Sequence, residues 1–423
     1  MEPIPQEAAS NSHPPVQEAV ARLVGLPEVR VAFDRFRAQE SQFAQWQMEA
    51  TRIAAPPFGE AARGLWLAER FRELGLLEVQ VDEVGNVFGI RPGHGSRYVA
   101  LSAHIDTVFP AATPLHIRQQ GSRLYGPGVA DNGAGIAAML AVASALASAR
   151  IAHSLPFLFI GNVGEEGEGD LRGMRHVFAT PRWRDAIAYS VIVDGAGTDT
   201  MVAEALGSRR FEVIVRGPGG HSWSDFGAPN PIIALARAIE VLSQTPVPAS
   251  PKTTFNVGVI RGGTSVNSIP ESASMRVDLR STSMAEIDRL ERMLRQGLEQ
   301  AVALENRAAA QHENRRPPQP QSRMLQSEVL EIGNRPAGEL AADARLLKVI
   351  RAVDAQLGNN AHVQRASTDA NIPLSLGREA IAIGGGGSGG GAHTLQEWFD
   401  CDGRGLGLRR ILLTLLALSG VGE

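Results

Sequence analysis

The chain has 423 residues, against roughly 100–200 per domain, so two domains, or one large domain with an insertion, is the starting expectation. Hydrophobic residues make up 43% and charged residues 20%, an ordinary globular composition that excludes disorder, collagen-like repeats and a membrane bundle. With 41 basic against 45 acidic side chains, a net charge of −4, no broad positive field is offered to phosphate backbones, which argues against a nucleic-acid partner.

Only Cys401 is present. One cysteine builds neither an internal disulfide nor a cysteine-rich zinc site, so any metal here must take nitrogen and oxygen ligands. The opening Met-Glu-Pro-Ile-Pro-Gln-Glu shows no apolar core of a secretory signal, and a cytoplasmic protein is the expectation. The longest apolar stretches, 136–146 and 411–418, are too short to span a bilayer and read as buried helices.

In chain order, Val29, Phe33, Phe36, Phe43 and Trp46 fall at helical spacing before Pro56 and Pro57 break the pattern. A helix is predicted over 60–74, with Gly75 just past its end. Strands are predicted over 79–81, 86–90 and 98–102, then a helix over 133–146 and strands over 156–160 and 190–193. This alternation predicts an α/β sheet with helices on both faces, whose carboxyl-end loops are where ligands sit.

From residue 207 the pattern changes: strand 210–216, helix 231–242, strands 253–260 and 273–278, then a helix over 283–302. Ser283 and Glu286 have the spacing of a capping box for that last helix. After a polar stretch over 305–321, residues 328–332 read as a further strand. The order β-α-β-β-α-β is that of a ferredoxin-like unit. The expected division is therefore a catalytic domain over 1–206 and 334–423 with an inserted domain over 207–333. Helices over 341–356 and 409–418 complete the chain. The glycine tract 384–391 follows an apolar run and precedes His393, so it reads as a loop whose backbone approaches a ligand closely rather than as a linker. A phosphate-binding loop would need Lys-Ser or Lys-Thr after the glycines, and neither is there.

Five clusters carry candidate chemistry. His104-Ile105-Asp106 ends an apolar run, with His104 and Asp106 on one face of an extended segment. There His104 can bind a metal while Asp106 holds its other ring nitrogen; a plain hydrogen-bonded pair is the simpler alternative. Asp131, flanked by glycines at a helix entry, is either a helix cap or a rigid carboxylate able to bridge two metals. Glu165-Glu166 is either a solvated acidic loop or a metal ligand beside a general base. Asp194 ends an apolar strand, and His393 follows the glycine loop. All five stand at predicted strand ends, where one cleft would collect them.

These motifs in this order resemble the dinuclear zinc peptidases and deacylases, a family that includes glutamate carboxypeptidase, tripeptide aminopeptidase, aminoacylase, acetylornithine deacetylase and succinyl-diaminopimelate desuccinylase. Gly217-Pro218-Gly219-Gly220-His221-Ser222 and residues 262–270, Gly-Gly-Thr-Ser-Val-Asn-Ser-Ile-Pro, are similar to stretches of that family's inserted domain. The resemblance implies an α/β zinc-peptidase catalytic domain with a mixed sheet between helices, plus an inserted ferredoxin-like α+β domain serving as dimerisation domain and lid.

It also implies two zinc ions per subunit, with cobalt or manganese as substitutes. Asp131 would bridge them, His104 and Asp194 would complete one site, and Glu166 and His393 the other. Glu165 would be the general base and Asp106 the partner of His104. His221 would reach the partner subunit's site in a homodimer and stabilise the oxyanion. Asn267 and Arg280 would hold the substrate backbone and carboxylate; a surface ion pair is the alternative for Arg280. The implied reaction is hydrolysis of an amide in short peptides or N-acyl amino acids. Asp131 is followed by Asn132-Gly133 where the deacetylase and desuccinylase branches carry Met-Lys-Gly, and residues 367–371 resemble the peptidase branch. The reading therefore leans to an exopeptidase. An N-acyl or N-carbamoyl amino acid hydrolase, and a catalytically inactive binding module of the same fold, are the alternatives.

Overall fold

The computed structural model describes residues 16–313 and 324–421. The amino-terminal residues examined for a signal sequence, and 314–321 of the polar stretch, lie outside the described residues. The chain forms two compact units: one holds the residues up to Ala203 with Leu340–Gln364 and Thr368 onward, the other Glu204–Glu339 with Arg365–Ser367. No helix among the described residues is long and apolar enough to cross a membrane.

The first unit is built on a mixed sheet. Its strands run in the order Leu77–Val81, Val87–Arg91, Phe157–Asn162, Tyr98–His104, Ile187–Val193 and Glu379–Ile383. Beyond Glu379–Ile383, Met201 and Val202 pair antiparallel to it. The four strands Phe157–Asn162, Tyr98–His104, Ile187–Val193 and Glu379–Ile383 are mutually parallel, so their carboxyl ends share one edge.

The parallel strands are apolar nearly throughout because both faces are covered. Ala100, Leu158 and Ile160 point into a core with Met174, Val177, Phe178 and Trp183. Helix Gly133–Ala149, whose alanine- and leucine-rich sequence has no polar face, is buried along almost its whole length.

Several elements depart from the sequence expectation. The region 28–54 is two helices, Pro27–Ala38 and Glu40–Arg52, preceded by an unpredicted one, Val16–Gly25. Helices Arg172–Ala179 and Pro181–Ala186 were also unpredicted. Residues 384–387 of the glycine tract are irregular and pack closely on other backbone, and Ser388–Gly390 form a short strand paired antiparallel with Trp398–Asp400. A Cβ at Gly384 would stand 2.4 Å from the Ala196 carbonyl oxygen, and one at Gly386 2.5 Å from that of Arg404. Glycine is required there by packing of chain on chain.

The second unit has the expected β-α-β-β-α-β order. Its antiparallel sheet runs Thr253–Gly262, Ser272–Ser281, Gly207–Arg216, Gln326–Arg335. Alternate residues Phe211, Val213 and Val215 face helices Pro231–Ser243 and Met284–Glu313, meeting Leu235, Leu242, Leu290 and Leu294 in one core. The second helix runs to Glu313, taking in 305–313, because that stretch is rich in Ala, Glu, Arg and Gln, all helix formers apart from its Asn and His. Its start is not a capping box. The Ser283 N–H donates to the Ser281 hydroxyl at 3.1 Å, and the Glu286 carboxylate accepts from Arg289 at 2.9 Å.

Candidate metal centre

Each candidate ligand sits where an apolar parallel strand runs out. His104 is the last residue of its strand, Asp194 follows Ile187–Val193 directly, and Glu165 and Glu166 stand three and four residues past Phe157–Asn162. Asp131 precedes helix Gly133–Ala149 at the same edge, and the loop after Glu379–Ile383 returns His393 to it. The strands are held by packing, so the polar residues at their ends are delivered to fixed positions.

Asp131 organises the cluster. Its Oδ1 lies 3.1 Å from His104 Nε2, which is also 3.6 Å from Asp194 Oδ1. Its Oδ2 lies 3.1 Å from His393 Nε2, and the same nitrogen is 3.1 Å from Glu166 Oε1. Three groups of donors result, His104-Asp131-Asp194, Asp131-Glu166-His393 and His104-Glu165-Glu166, each with its atoms within 4.8 Å of one another; the first two share Asp131. Exposure is graded across the cluster, from 1% for the His104 side chain through about a fifth for Asp131 and Asp194 to 54% for His393.

The electrostatics follow from this crowding. Burial works against a charge on His104, but the Asp106, Asp131 and Asp194 carboxylates outweigh it and hold the imidazole well above its ordinary value. Contact with Asp131 raises His393 to about 9, burial notwithstanding. Burial alone would raise the Asp131 carboxyl; its contacts with His104 and His393 win and place it below the usual carboxylate range. Glu166 is raised, by burial and then by the Asp131 charge. Two imidazoles that hold protons this firmly among three carboxylates mark a site of strongly negative potential, and a donor set of nitrogen and oxygen alone suits zinc, cobalt or manganese. The residues fit a pair of divalent cations.

Asp106 supports this cluster in two directions. Its Oδ1 is 3.6 Å from His104 Nδ1, and its two oxygens accept the backbone N–H groups of Glu165 at 3.0 Å and Glu166 at 2.8 Å. Glu165 is buried, at 5% exposure.

Four supporting residues escaped the sequence reading. Asn132 Nδ2 donates to the Val193 carbonyl at 2.9 Å, and its Oδ1 accepts from Gly135 and Gly195, both at 3.1 Å, tying the helix start to the strand end before Asp194. Arg63, fully buried, donates to the Ile105 carbonyl at 2.8 Å. The Glu397 carboxylate accepts the N–H groups of Gly128, Ala130 and Asp131; burial pushes it up to about 7 against those donors. Asp369, also fully buried, accepts from Asn162 Nδ2 at 2.6 Å, and burial lifts it to about 7. Of these, only Asn132 gave a sequence signal, as an N-cap type just before an apolar helix. Beside the cluster lies a cleft of about 530 Å³ lined by Asp131, Ala196, Asp199, Ser388 and Gly390 among others.

The remaining candidates belong to the second unit. Strand Gly220–His221 pairs with Ser268–Ile269, and the Ser222 N–H donates to the Asn267 carbonyl at 3.0 Å, so His221 and Asn267 are neighbours. His221 Nδ1 accepts the Trp223 N–H at 3.2 Å, which leaves the ring proton on Nε2. Arg280 is not gathered with them. It lies eight residues along strand Ser272–Ser281 from the end next to that loop, roughly 27 Å at a strand's rise, and its Nε donates to Asp278 at 2.6 Å.

The chain belongs to the peptidase family M20/M25/M40, whose model matches residues 100–416. A probable carboxypeptidase of Aspergillus clavatus is 32% identical over 208 residues, covering 44% of this chain and 45% of the relative; the match thus spans under half of that protein. In fold, the chain is similar to human carnosine dipeptidase 1, with a TM-score of 0.71 at 13% identity, over 93% of this chain and 99% of that one. It is similar also to an aminopeptidase from Bacillus cereus, with a TM-score of 0.70 at 19% identity over 90% and 98%. A dinuclear metal-binding peptidase of the M20 family from Bacillus subtilis gives 0.62 at 15% identity over 90% and 99%.

Proposed function

We propose that this chain is a metal-dependent hydrolase of amide bonds in short peptides, in its narrowest form a di-zinc exopeptidase. The observation that carries the reading is the division of Asp131, one oxygen facing His104 and the other facing His393. A carboxylate so shared is what a bridging ligand between two cations requires. His104 and Asp194 would complete one site, Glu166 and His393 the other, and Asp106 would orient His104. Divalent ions bound there supply polarisation of the substrate carbonyl and acidification of the attacking water.

Glu165 is the general base of this reading. It takes a proton from water as the oxygen attacks the amide carbon, and returns it to the leaving nitrogen as the C–N bond breaks. The backbone N–H of Glu165 is pinned by Asp106, which fixes where that side chain starts. His221, with its proton on Nε2, would act as donor to the developing oxyanion, in trans if the second unit dimerises; Asn267 beside it would contact the substrate.

A panel of dipeptides, tripeptides and N-acyl and N-carbamoyl amino acids, run with added zinc, cobalt or manganese, tests the reading. The name of the curated relatives makes release of a carboxyl-terminal residue the first arm. Peptide hydrolysis supports the proposal, turnover of the acyl or carbamoyl substrates alone replaces it with an amidohydrolase, and no turnover on any arm rejects catalysis.

A further inference from the structure

We infer that Glu397 is a positioning residue of the metal centre, its buried carboxylate setting the segment that carries Asp131 against the turn that carries His393. The inference rests on the di-metal reading above and concerns how the bridging carboxylate is held.

Glu397 is fully buried. Its Oε1 accepts the N–H groups of Ala130 at 2.7 Å and Asp131 at 2.8 Å, and its Oε2 that of Gly128 at 2.8 Å. Its own backbone carbonyl accepts the Gly126 N–H at 2.9 Å. One residue therefore takes four hydrogen bonds from the irregular stretch 126–131. Without Glu397 the buried N–H groups of Gly128 and Ala130 and the partly buried one of Asp131 would stand unpaired.

The second half of the argument is where Glu397 sits. It follows His393 by four residues through two consecutive turns, one closed by Thr394 N–H to the Gly391 carbonyl at 3.0 Å and the next by Glu397 N–H to the Thr394 carbonyl at 3.2 Å. The first of these turns puts His393 Nε2 3.1 Å from Asp131 Oδ2. The contacts form a closed circuit: Asp131 backbone to Glu397 carboxylate, through the turns to the His393 ring, and back to the Asp131 carboxylate. A closed circuit fixes both position and orientation of Asp131, which a single contact does not. Glu397 is no rival to Glu165 as base, because both its oxygens are directed at backbone donors and neither reaches solvent.

The test is Glu397→Gln. The amide keeps the shape but turns one acceptor into a donor, so either the Gly128 N–H, or those of Ala130 and Asp131, must face an NH₂ group. Metal binding to the chelator-treated protein is measured by calorimetry with zinc, and site symmetry by the absorption spectrum of the cobalt form. Asp82→Asn is the comparator: Asp82 also caps three backbone N–H groups, of Val84, Gly85 and Asn86, but touches none of the cluster residues. The expected result is two zinc ions for the parent protein, a weakening of about 10–100-fold in at least one binding step for Glu397→Gln, an altered cobalt spectrum, and parent-like binding for Asp82→Asn. Parent-like affinity and spectrum in Glu397→Gln overturn the inference while leaving the di-metal reading intact. Equal weakening in Asp82→Asn overturns it too, by showing general destabilisation. Fewer than two ions in the parent protein overturns the underlying reading and this inference together. If Glu397→Gln gives no folded protein, Glu397→Asp, which keeps the charge and shortens the reach, is read in its place against the same outcomes.

Discussion

The backbone N–H of Glu165 donates to Oδ1 of Asp106 at 3.0 Å, so the residue expected to orient His104 also anchors the residue expected to move the proton. The two functions meet in one buried carboxylate, which takes the Glu166 N–H as well. For Asp106→Asn the amide must turn its NH₂ towards one of these N–H groups. The expected cost is about 1–3 kcal/mol of stability, together with a fall in turnover. Denaturant unfolding and kcat on the best substrate of the panel measure both. A variant that loses activity at unchanged stability would contradict the anchoring role.

Glu165→Gln separates the proton shuttle from the scaffold. The metal content and the melting temperature are expected to stay at parent values, while kcat falls about 10²–10⁴-fold, the usual worth of a positioned acid–base group. Near-parent turnover would reject Glu165 as the base.

Much of this centre was legible in the sequence, for a physical reason. His104, Glu165, Glu166 and Asp194 are polar residues ending apolar runs, and parallel strands bring such ends to one edge whatever the loops do. Asp131 and His393 were marked by the glycines around them. The supports were not legible, because their partners are remote: Asn132 bonds across 61 residues to Val193, and Glu397 across 266 to Asp131. No local pattern encodes a carboxylate that accepts from distant backbone. The ferredoxin-like order was readable from alternating periods, yet the long helix was cut short, since a solvent-facing helix end and a polar loop have similar composition. The missed helix Val16–Gly25 did carry a signal, with Ala19, Val20 and Leu23 buried at helical spacing.

Removing metal is expected to abolish activity and to loosen the cluster, since without cations the three carboxylates are balanced only by protons on His104 and His393. Elemental analysis of active protein should give about two zinc, cobalt or manganese ions per chain, with activity lost to a chelator and restored by the metal. Full activity in a preparation with no such metal would end the mechanism.

Asn132→Ala should destabilise the fold through the groups it leaves behind. The Val193 carbonyl and the Gly135 N–H lose their partner at buried positions, and the Gly195 N–H at a partly buried one. A loss of about 1–3 kcal/mol is expected even if only one of them stays unpaired, with weaker metal binding because the Asp194 segment is freed. Unfolding in urea and zinc calorimetry read the two effects; unchanged values in both would remove Asn132 from its scaffolding role.

Asp369 predicts a pH dependence of known sign. Its carboxyl is held at about 7 by burial, against 3.8 for a free aspartate, so between those values the unfolded chain binds fewer protons than the folded one. The stability it contributes is full below pH 3.8 and is lost as the pH rises through 7, with a slope of up to about 1.4 kcal/mol per pH unit from this one group. Asn in its place mimics the neutral acid, still accepting from Asn162, and carries no proton to lose. In chelator-treated protein, the stability of Asp369→Asn relative to the parent should therefore climb between pH 4 and pH 7 and level off above it. Parallel stability profiles for the two proteins would show that Asp369 is ionised inside the fold, and that the neighbouring His104 charge outweighs its burial.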